Sequence, residues 1–572
     1  MQWKQLLRTH GALFGLLFAA AVITYARSLH NDFVIWDDDS LVTLNPLTQH
    51  FTWKNILGAF SSYDPELYVP LTILSFQIEH LLFGFAPFFF HLDNLLLHIV
   101  NAGLILLLLE RLGLKRTTAF FAALVFTVHP LNTEAVAWVS ARKDLLAALF
   151  SLTALLSYLH WKSVQSWQWL WITLGYFFCA LLSKPVAIVL PAIFLLLDWK
   201  DRGRMTRRTI VTTLPFFLLS AIFLVIGLYG KGRNIGALTL AETFLLACKS
   251  TVFAIGKFLW PTGLSPIYLQ TDPISFALPQ FWIPIVILIL LGGMTLWSLR
   301  RTRIVMFSAL FFLIFLMPSF SNFAKDDVYY FSDRYIYLSQ IGLLFLLGSV
   351  IDGLRTRSLL RVFVEPGEGG RRNEESKKRN VALPILTLPI LFILSWSAHA
   401  QSLLWKDSET LYRDALRKND LSVTMHYNLA VLEHKRDNRA AAFEEYQKAL
   451  AIDPQYIKAL SNLAVWYKED GQTEKALETL DLAITSDPRA SEPHNTLGSI
   501  LMDRGDVDGA MVEFRKAIVL DEEFAQAHIN LASALGRNGL YDEGLREYKR
   551  AFELAPQLVE DYPEIKRALE NL

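Results

Sequence analysis

Cysteine is almost absent from this chain, with only Cys179 and Cys248 among 572 residues. Two thiols cannot build a disulfide framework, and no Cys-x-x-Cys or Cys/His spacing suggests zinc. Net charge is absent as well. Fifty-four basic residues balance 54 acidic ones, so nothing points to nucleic acid as a partner. Charge itself is scarce, at 19% against 53% hydrophobic residues, and mean hydropathy is +0.32. That scarcity excludes the three or four soluble domains that the length alone would suggest. No Asn-x-Ser/Thr sequon occurs. No Ala-x-Ala-like cleavage site follows the apolar run ending near Ile23–His30, so the first run reads as a retained span, not a signal peptide.

What is present is a series of long apolar runs. They fall near residues 10–29, 91–109, 117–138, 143–160, 167–183, 185–199, 209–229, 281–299, 304–318, 335–351 and 382–398, which predicts about 11 spans within residues 1–400. Basic clusters mark alternate connections. Lys4 and Arg8 precede the first run; Arg111, Lys115 and Arg116 follow the second. Residues 200–208, then Arg300, Arg301 and Arg303, then residues 355–379 continue the pattern. By the positive-inside rule these loops and the N-terminus are cytoplasmic. Leu240–Trp260 would break the parity, so it is laid along the outer face, and the C-terminus is predicted outside. Val364–Asn380 reads as a disordered cytoplasmic connector.

Residues 401–572 are a different kind of chain. Asp453, Asp487 and Asp521 are 34 apart, as are Leu429, Leu463, Leu497 and Leu531. Ala430, Ala464, Gly498 and Ala532 mark close helix contacts at the same period, and Pro454 and Pro488 stop helices. This is the tetratricopeptide (TPR) pattern, with full repeats at 423–456, 457–490, 491–524 and 525–558. Trp405–Lys418 reads as the second helix of a degenerate earlier repeat, and Val559–Leu569 as a cap. The fold class is therefore all-α: a polytopic membrane bundle followed by an α-solenoid. Asn428, Asn462, Asn495 and Asn530 sit near the inner helices, where they could hold the backbone of an acceptor peptide, although Asn495 is one position out of register.

Polar groups within or beside apolar runs are costly and tend to serve function. Here they gather on the predicted outer side. Trp36 precedes Asp37, Asp38 and Asp39, a carboxylate triplet suited to a base or a cation site. His91 and His98 are seven apart on one helix face, with Asp93 and Asn94 nearby. His129-Pro130 with Glu134, the trio Arg142, Lys143 and Asp144, then Lys184, then Asp333-Arg334-Tyr335 complete the set. Cations opposing carboxylates on one face suit an anionic, lipid-linked substrate, because arginine donates a pair of hydrogen bonds to phosphate.

Ordered pieces of this set resemble a known family. They are Phe33-Val34 with Trp36-Asp37-Asp38, Tyr68 with Pro70-Leu71-Thr72, His91…Asn94…His98, and His129-Pro130 with Glu134-Ala135-Val136. Arg142, Ser183-Lys184, Arg334-Tyr335 with Tyr337-Leu338, and Trp405-Lys406-Asp407 follow. Together they resemble the transmembrane and tetratricopeptide-repeat (TMTC) protein O-mannosyltransferases and their bacterial relatives, of the GT-C glycosyltransferase class. The resemblance implies transfer of a sugar from a polyprenyl-phosphate donor to Ser/Thr hydroxyls of a protein bound by the TPR arm, with inversion. Asp37 or Asp38 would be the general base. Arg142, Lys184 and Arg334 would bind the donor phosphate, with Asp39, His91, His98, His129 and Glu134 supporting substrate. Neither cofactor nor metal is implied. Val69 and Pro185 depart from the family pattern, so the sugar is left open between mannose and others. Transfer of an oligosaccharide, transfer to a lipid or glycan, and a non-enzymatic envelope scaffold are the competing readings. The absence of sequons and the short repeat region favour a bacterial inner membrane with a periplasmic active site over the endoplasmic reticulum lumen.

Overall fold

The computed structural model describes residues 3–63, 67–231, 238–323, 328–355 and 372–570. They divide into two compact units. One comprises Met1–Leu41 and Ile56–Asp407; the other joins Val42–Asn55 to Ser408–Leu572. The sequence assigned Val42–Asn55 to the membrane portion.

The helices of the first portion run in chain order: α1 Trp3–Tyr25, α2 Trp53–Ser61, α3 Pro70–Phe83, α4 Pro87–Arg111, α5 Arg116–Val128, α6 Thr133–Ala137, α7 Arg142–Val164 and α8 Trp167–Ser183. Then follow α9 Leu190–Arg202, α10 Arg207–Lys231, α11 Leu240–Leu259, α12 Pro279–Ser298, α13 Ile304–Leu316, α14 Gln340–Arg355 and α15 Arg372–Ser402. Proline at the first helical position opens α3, α4 and α12, where its missing N–H costs nothing. The strands β1 (Tyr268–Leu269) and β2 (Tyr329–Phe331) pair antiparallel, with Tyr268 opposite Phe331.

Among the described residues seven helices are long and apolar enough to cross a membrane, or eight if the bent pair Arg116–Val128 with Pro130–Ala137 is one span. Each apolar run of the sequence is mainly helical, but α8, α9 and α14 are 17, 13 and 16 residues long. At about 1.5 Å per residue each falls short of a ~30 Å hydrocarbon core. The run at 117–138 is not one straight span either: its halves meet at 54° around His129-Pro130. Proline removes a backbone donor and pushes the residue before it out of helical geometry. The connector 364–380 is partly outside the described residues; from Arg372 onward it is the start of α15, not irregular chain.

The core of this unit is packed through small residues. Ala102, Ala119, Ala123, Ala148 and Ala154 are all buried, which lets backbones approach in the absence of a hydrophobic driving force between helices. At Gly342 the backbones themselves meet, since a Cβ there would lie 2.5 Å from the Ser308 carbonyl oxygen of α13.

In the other unit the 34-residue period produces paired helices, such as Val423–Lys435 with Arg439–Ile452 and Ile457–Glu469 with Thr473–Ser486. Ala430, Ala442 and Ala449 are buried at their contacts. Ser408–Lys418 supplies the predicted helix ahead of the first full repeat.

Candidate active site

Two X-Pro steps place the site. His129 precedes Pro130 and Lys184 precedes Pro185, and both are extended (ψ 127° and 137°), so each ends its helix there. After the first break the chain runs sideways through α6 and a single turn, Val139–Ala141, before α7 begins at Arg142. That detour carries Glu134, Trp138, Ser140, Arg142, Lys143 and Asp144 within eleven residues of chain.

The aspartate triplet separates into three environments. Asp38 is buried, at 1% exposure. Its Oδ1 accepts the Ser140 backbone N–H (2.9 Å) and hydroxyl (2.5 Å), and its Oδ2 accepts the Val34 N–H (3.0 Å). Burial pushes its carboxyl up to about 7, with these hydrogen bonds opposing the rise. Asp37 faces outward: its side chain is 40% exposed, and Oδ2 lies 3.3 Å from Lys143 Nζ. Asp39 is half-buried at the start of a single wide turn, Asp39–Thr43.

Two cations lie against Trp138. Lys143 Nζ is 5.2 Å and the Arg334 guanidinium 5.0 Å from its ring, while Trp405 stacks on it at 5.7 Å. Lys184 joins them and donates to Asp144 at 2.6 Å. Burial brings Lys184 down to about 8; Asp144 opposes that fall, and the fields of Arg334 and Lys143 add to it. Glu134 is the anchor for Arg334. It accepts the Arg334 backbone N–H (2.9 Å), its Nη1 and the Ser332 hydroxyl (2.9 Å). The cluster thus holds three cations against Asp37, Asp144 and Glu134, and Asp37 is by far the most exposed of the six side chains.

Arg142 is elsewhere. It is 1% exposed and every guanidinium nitrogen has an acceptor. Nε donates to Asn94 (2.5 Å), Nη1 to Glu79 (3.0 Å), and Nη2 to the Phe90 carbonyl (2.8 Å), while the group lies over the Phe76 ring at 5.0 Å. A guanidinium so enclosed spends four of its five N–H donors on the protein, so Arg142 is held away from the solvent-facing Asp37 with which the sequence grouped it. The histidines are also enclosed. His98 donates from Nε2 to the Thr127 carbonyl (3.0 Å) and accepts the Tyr337 hydroxyl at Nδ1 (2.8 Å). His129 donates to the Phe258 carbonyl (3.1 Å) and stacks on that ring, and His91 is buried beside the Asn31–Asp32 backbone. All three are buried and do not face an open surface. Among the described residues no group of three His, Cys, Asp or Glu side chains is placed to hold a metal ion, and both cysteines are free thiols.

Sequence reasoning missed Glu79, Trp138 and Ser140. Glu79 had a signal, an isolated acid in the apolar α3. Ser140 had none.

In the TPR unit, Asn462 donates to the Tyr427 hydroxyl (3.1 Å) and Asn530 to Asn495 Oδ1 (2.8 Å), each partner 35 residues earlier. Asn495 therefore occupies the place of Tyr427, not that of Asn428, which explains its shift of one position. A feature with no counterpart in the reading of the sequence is a recurring pair: His426, His494 and His528 each place Nδ1 2.6–2.7 Å from a glutamate 19 residues on.

Four TPR family models match the C-terminal portion: a TPR repeat at 498–539 and tetratricopeptide repeats at 397–457, 433–500 and 525–558. The human protein O-mannosyl-transferase TMTC4 is 26% identical over 508 residues, covering 75% of this chain and 64% of its own length. The human protein O-mannosyl-transferase TMTC1 is 23% identical over 528 residues, covering 80% and 57%. The chain resembles the TMTC proteins over most of its length. It spans about three-fifths of the length of these two human relatives. A thermophilic TPR protein of Thermus thermophilus, 24% identical, matches 32% of this chain and 95% of its own with a TM-score of 0.26. This is a multipass membrane protein with a TPR region.

Proposed function

We propose that this chain moves a sugar, mannose in the first instance, from a polyprenyl-phosphate donor to a Ser/Thr hydroxyl of a protein acceptor recruited by the TPR unit. The observation that carries the reading is the solvent-facing Asp37 carboxylate beside a cluster of three cations, Lys143, Lys184 and Arg334, at the Trp138 platform. The printed names of the TMTC relatives support the same chemistry.

A neutral hydroxyl is a poor nucleophile. As its oxygen forms a bond to the anomeric carbon from one face, Asp37 accepts its proton; the C–O bond to phosphate breaks on the other face, and the electron pair leaves with the lipid phosphate. Lys184 and Arg334 neutralise that phosphate: Glu134 fixes Arg334 through Nη1 while an edge of its side chain stays in solvent, and Lys184 has donors beyond the one given to Asp144. Asp38 is a positioning residue, since its contacts with Ser140 and Val34 point into the protein. The periplasmic face of a bacterial inner membrane is the proposed location.

The test is transfer with purified enzyme, polyprenyl-phosphate mannose and acceptor protein. Asp37→Asn removes the base and is expected to lower turnover by about 10²–10⁴-fold with donor binding retained. Full activity in Asp37→Asn would discard the carboxylate mechanism, and a donor that never binds the parent protein would favour the scaffold.

A further inference from the structure

Three helices of the bundle contribute to a second site at their other ends. α4, α5 and α14 each have one end at the candidate active site and the other near Leu112, Leu114 and Ser349, respectively. There, with the end of α9 and the α12–α13 turn, they line a cavity of about 420 Å³. Its wall includes four cations, Lys200, Arg300, Arg301 and Arg303, and two hydroxyls, Thr302 and Ser349; its floor is Leu112, Leu114, Ile304 and Phe345.

Two features set this cluster apart. The charges of Arg300, Arg301 and Arg303 have no carboxylate partner among the described residues, whereas Lys143, Lys184 and Arg334 in the candidate active site each have one. Arg303 makes only a long contact from Nη1 to the Lys200 carbonyl (3.5 Å), and Arg301 rests on the Trp297 ring at 5.4 Å. Unpaired cations converging on a concavity call for an anion. The second feature is the wall beside it. α12 is the least buried of the apolar spans, 11% within the protein, and exposes Ile289, Leu290, Met294, Leu296 and Trp297. An exposed apolar helix ending in tryptophan and arginine is the signature of a membrane–water interface. The ligand's charged end therefore meets the cavity where hydrocarbon meets water.

We propose that this cavity binds the phosphate headgroup of an anionic phospholipid, whose acyl chains lie along α12. The three unpaired arginines and the α13 N-terminus, which begins at Ile304 inside the cavity, face the phosphate, Lys200 being paired with Asp201; Leu299 and Ile304 meet the acyl chains. A soluble phosphate would find the same charges but no use for the apolar wall.

The experiment uses the full-length protein, delipidated in detergent and returned to nanodiscs of phosphatidylcholine doped with phosphatidylglycerol or cardiolipin. Bound lipid is read by native mass spectrometry. The parent is expected to retain anionic lipid over phosphatidylcholine. The Arg300→Gln/Arg301→Gln/Arg303→Gln variant is expected to lose that preference by on the order of a hundredfold, three interfacial cations being removed. The matching triple Lys variant keeps the charge and should keep most of the preference, which separates lost charge from lost fold. If the Gln triple does not fold, the single Arg303→Gln variant is the substitute, because its guanidinium makes only the long contact to the Lys200 carbonyl; it should weaken retention several-fold. Unchanged anionic preference in a folded Gln triple overturns the proposal. So does displacement of the lipid by millimolar inorganic phosphate, which would make the cavity a soluble-anion site.

Discussion

Asp38 and Ser140, 102 residues apart in the chain, are joined twice: one carboxylate oxygen accepts both the backbone N–H and the hydroxyl of the serine. The bond ties the loop that carries Asp37 to the turn just before Lys143, and so sets the distance between the proposed base and its nearest cation. Ser140→Ala removes one of the two bonds and keeps the other. It should cost about 1 kcal/mol of stability and lower turnover less than Asp37→Asn does. Thermal unfolding alongside initial rates checks this. A Ser140→Ala protein as inactive as Asp37→Asn would mean that the hydroxyl itself takes part.

The raised carboxyl of Asp38 makes a pH prediction. Its folded value, about 7, lies above the ordinary 3.8, so the folded state holds its proton more tightly than the unfolded one. The corresponding stability is complete below about pH 4 and is lost as pH rises through 7. Melting temperature should fall over that window, and Asp38→Asn should flatten the decline.

Lys184 gives a second, kinetic profile. With its ammonium brought down to about 8, the proposed phosphate ligand loses its charge just above neutrality. The rate at limiting donor, kcat/KM, should drop above pH 8, since that ratio reports the free enzyme. Lys184→Arg should keep binding at pH 9, because guanidinium stays charged. A parent profile flat to pH 10 would remove Lys184 from the phosphate site.

Arg142→Lys should act on folding. A lysine keeps the charge beside Glu79 but lacks the planar fork that reaches Asn94, Glu79 and the Phe90 carbonyl together, and a buried acceptor left unsatisfied costs about 1–3 kcal/mol. The expected result is poor recovery and early melting, with unchanged donor KM in whatever folds. A raised KM with normal melting would return Arg142 to the substrate.

In the solenoid, Gly498→Ala should destabilise the third repeat by about 1–3 kcal/mol, because a Cβ there lies 2.6 Å from the Phe514 ring. Circular dichroism melts would show it. Ala430, Ala464 and Ala532 hold the same position in the other repeats, so this repeat alone has given up the methyl and let the ring of the second helix into its space.

The solenoid was legible because its period is local: small residues and prolines 34 apart dictate helix pairs wherever the chain goes. The spans were legible as apolar runs, though not their lengths, since α8 and α9 are cut short by the proline that follows Lys184. Which charges meet was hidden. Arg142 looks the same in sequence as Arg334, yet one is sealed by Glu79 and Asn94, 63 and 48 residues away, and the other keeps an edge in solvent. Those partners depend on how α3 and α4 pack on α7, and no spacing within one segment encodes that.

The bend at His129-Pro130 has a consequence for how the chain tolerates change. Because the chain turns by 54° and travels sideways before α7, the anchor Glu134, the platform Trp138, the latch Ser140 and the cation Lys143 come from a single short stretch. One residue inserted between 130 and 134 would shift all four relative to α5 at once, while an insertion in the turn between α7 and α8 would move none of them. The working parts are thus as fragile, in sequence terms, as a single motif.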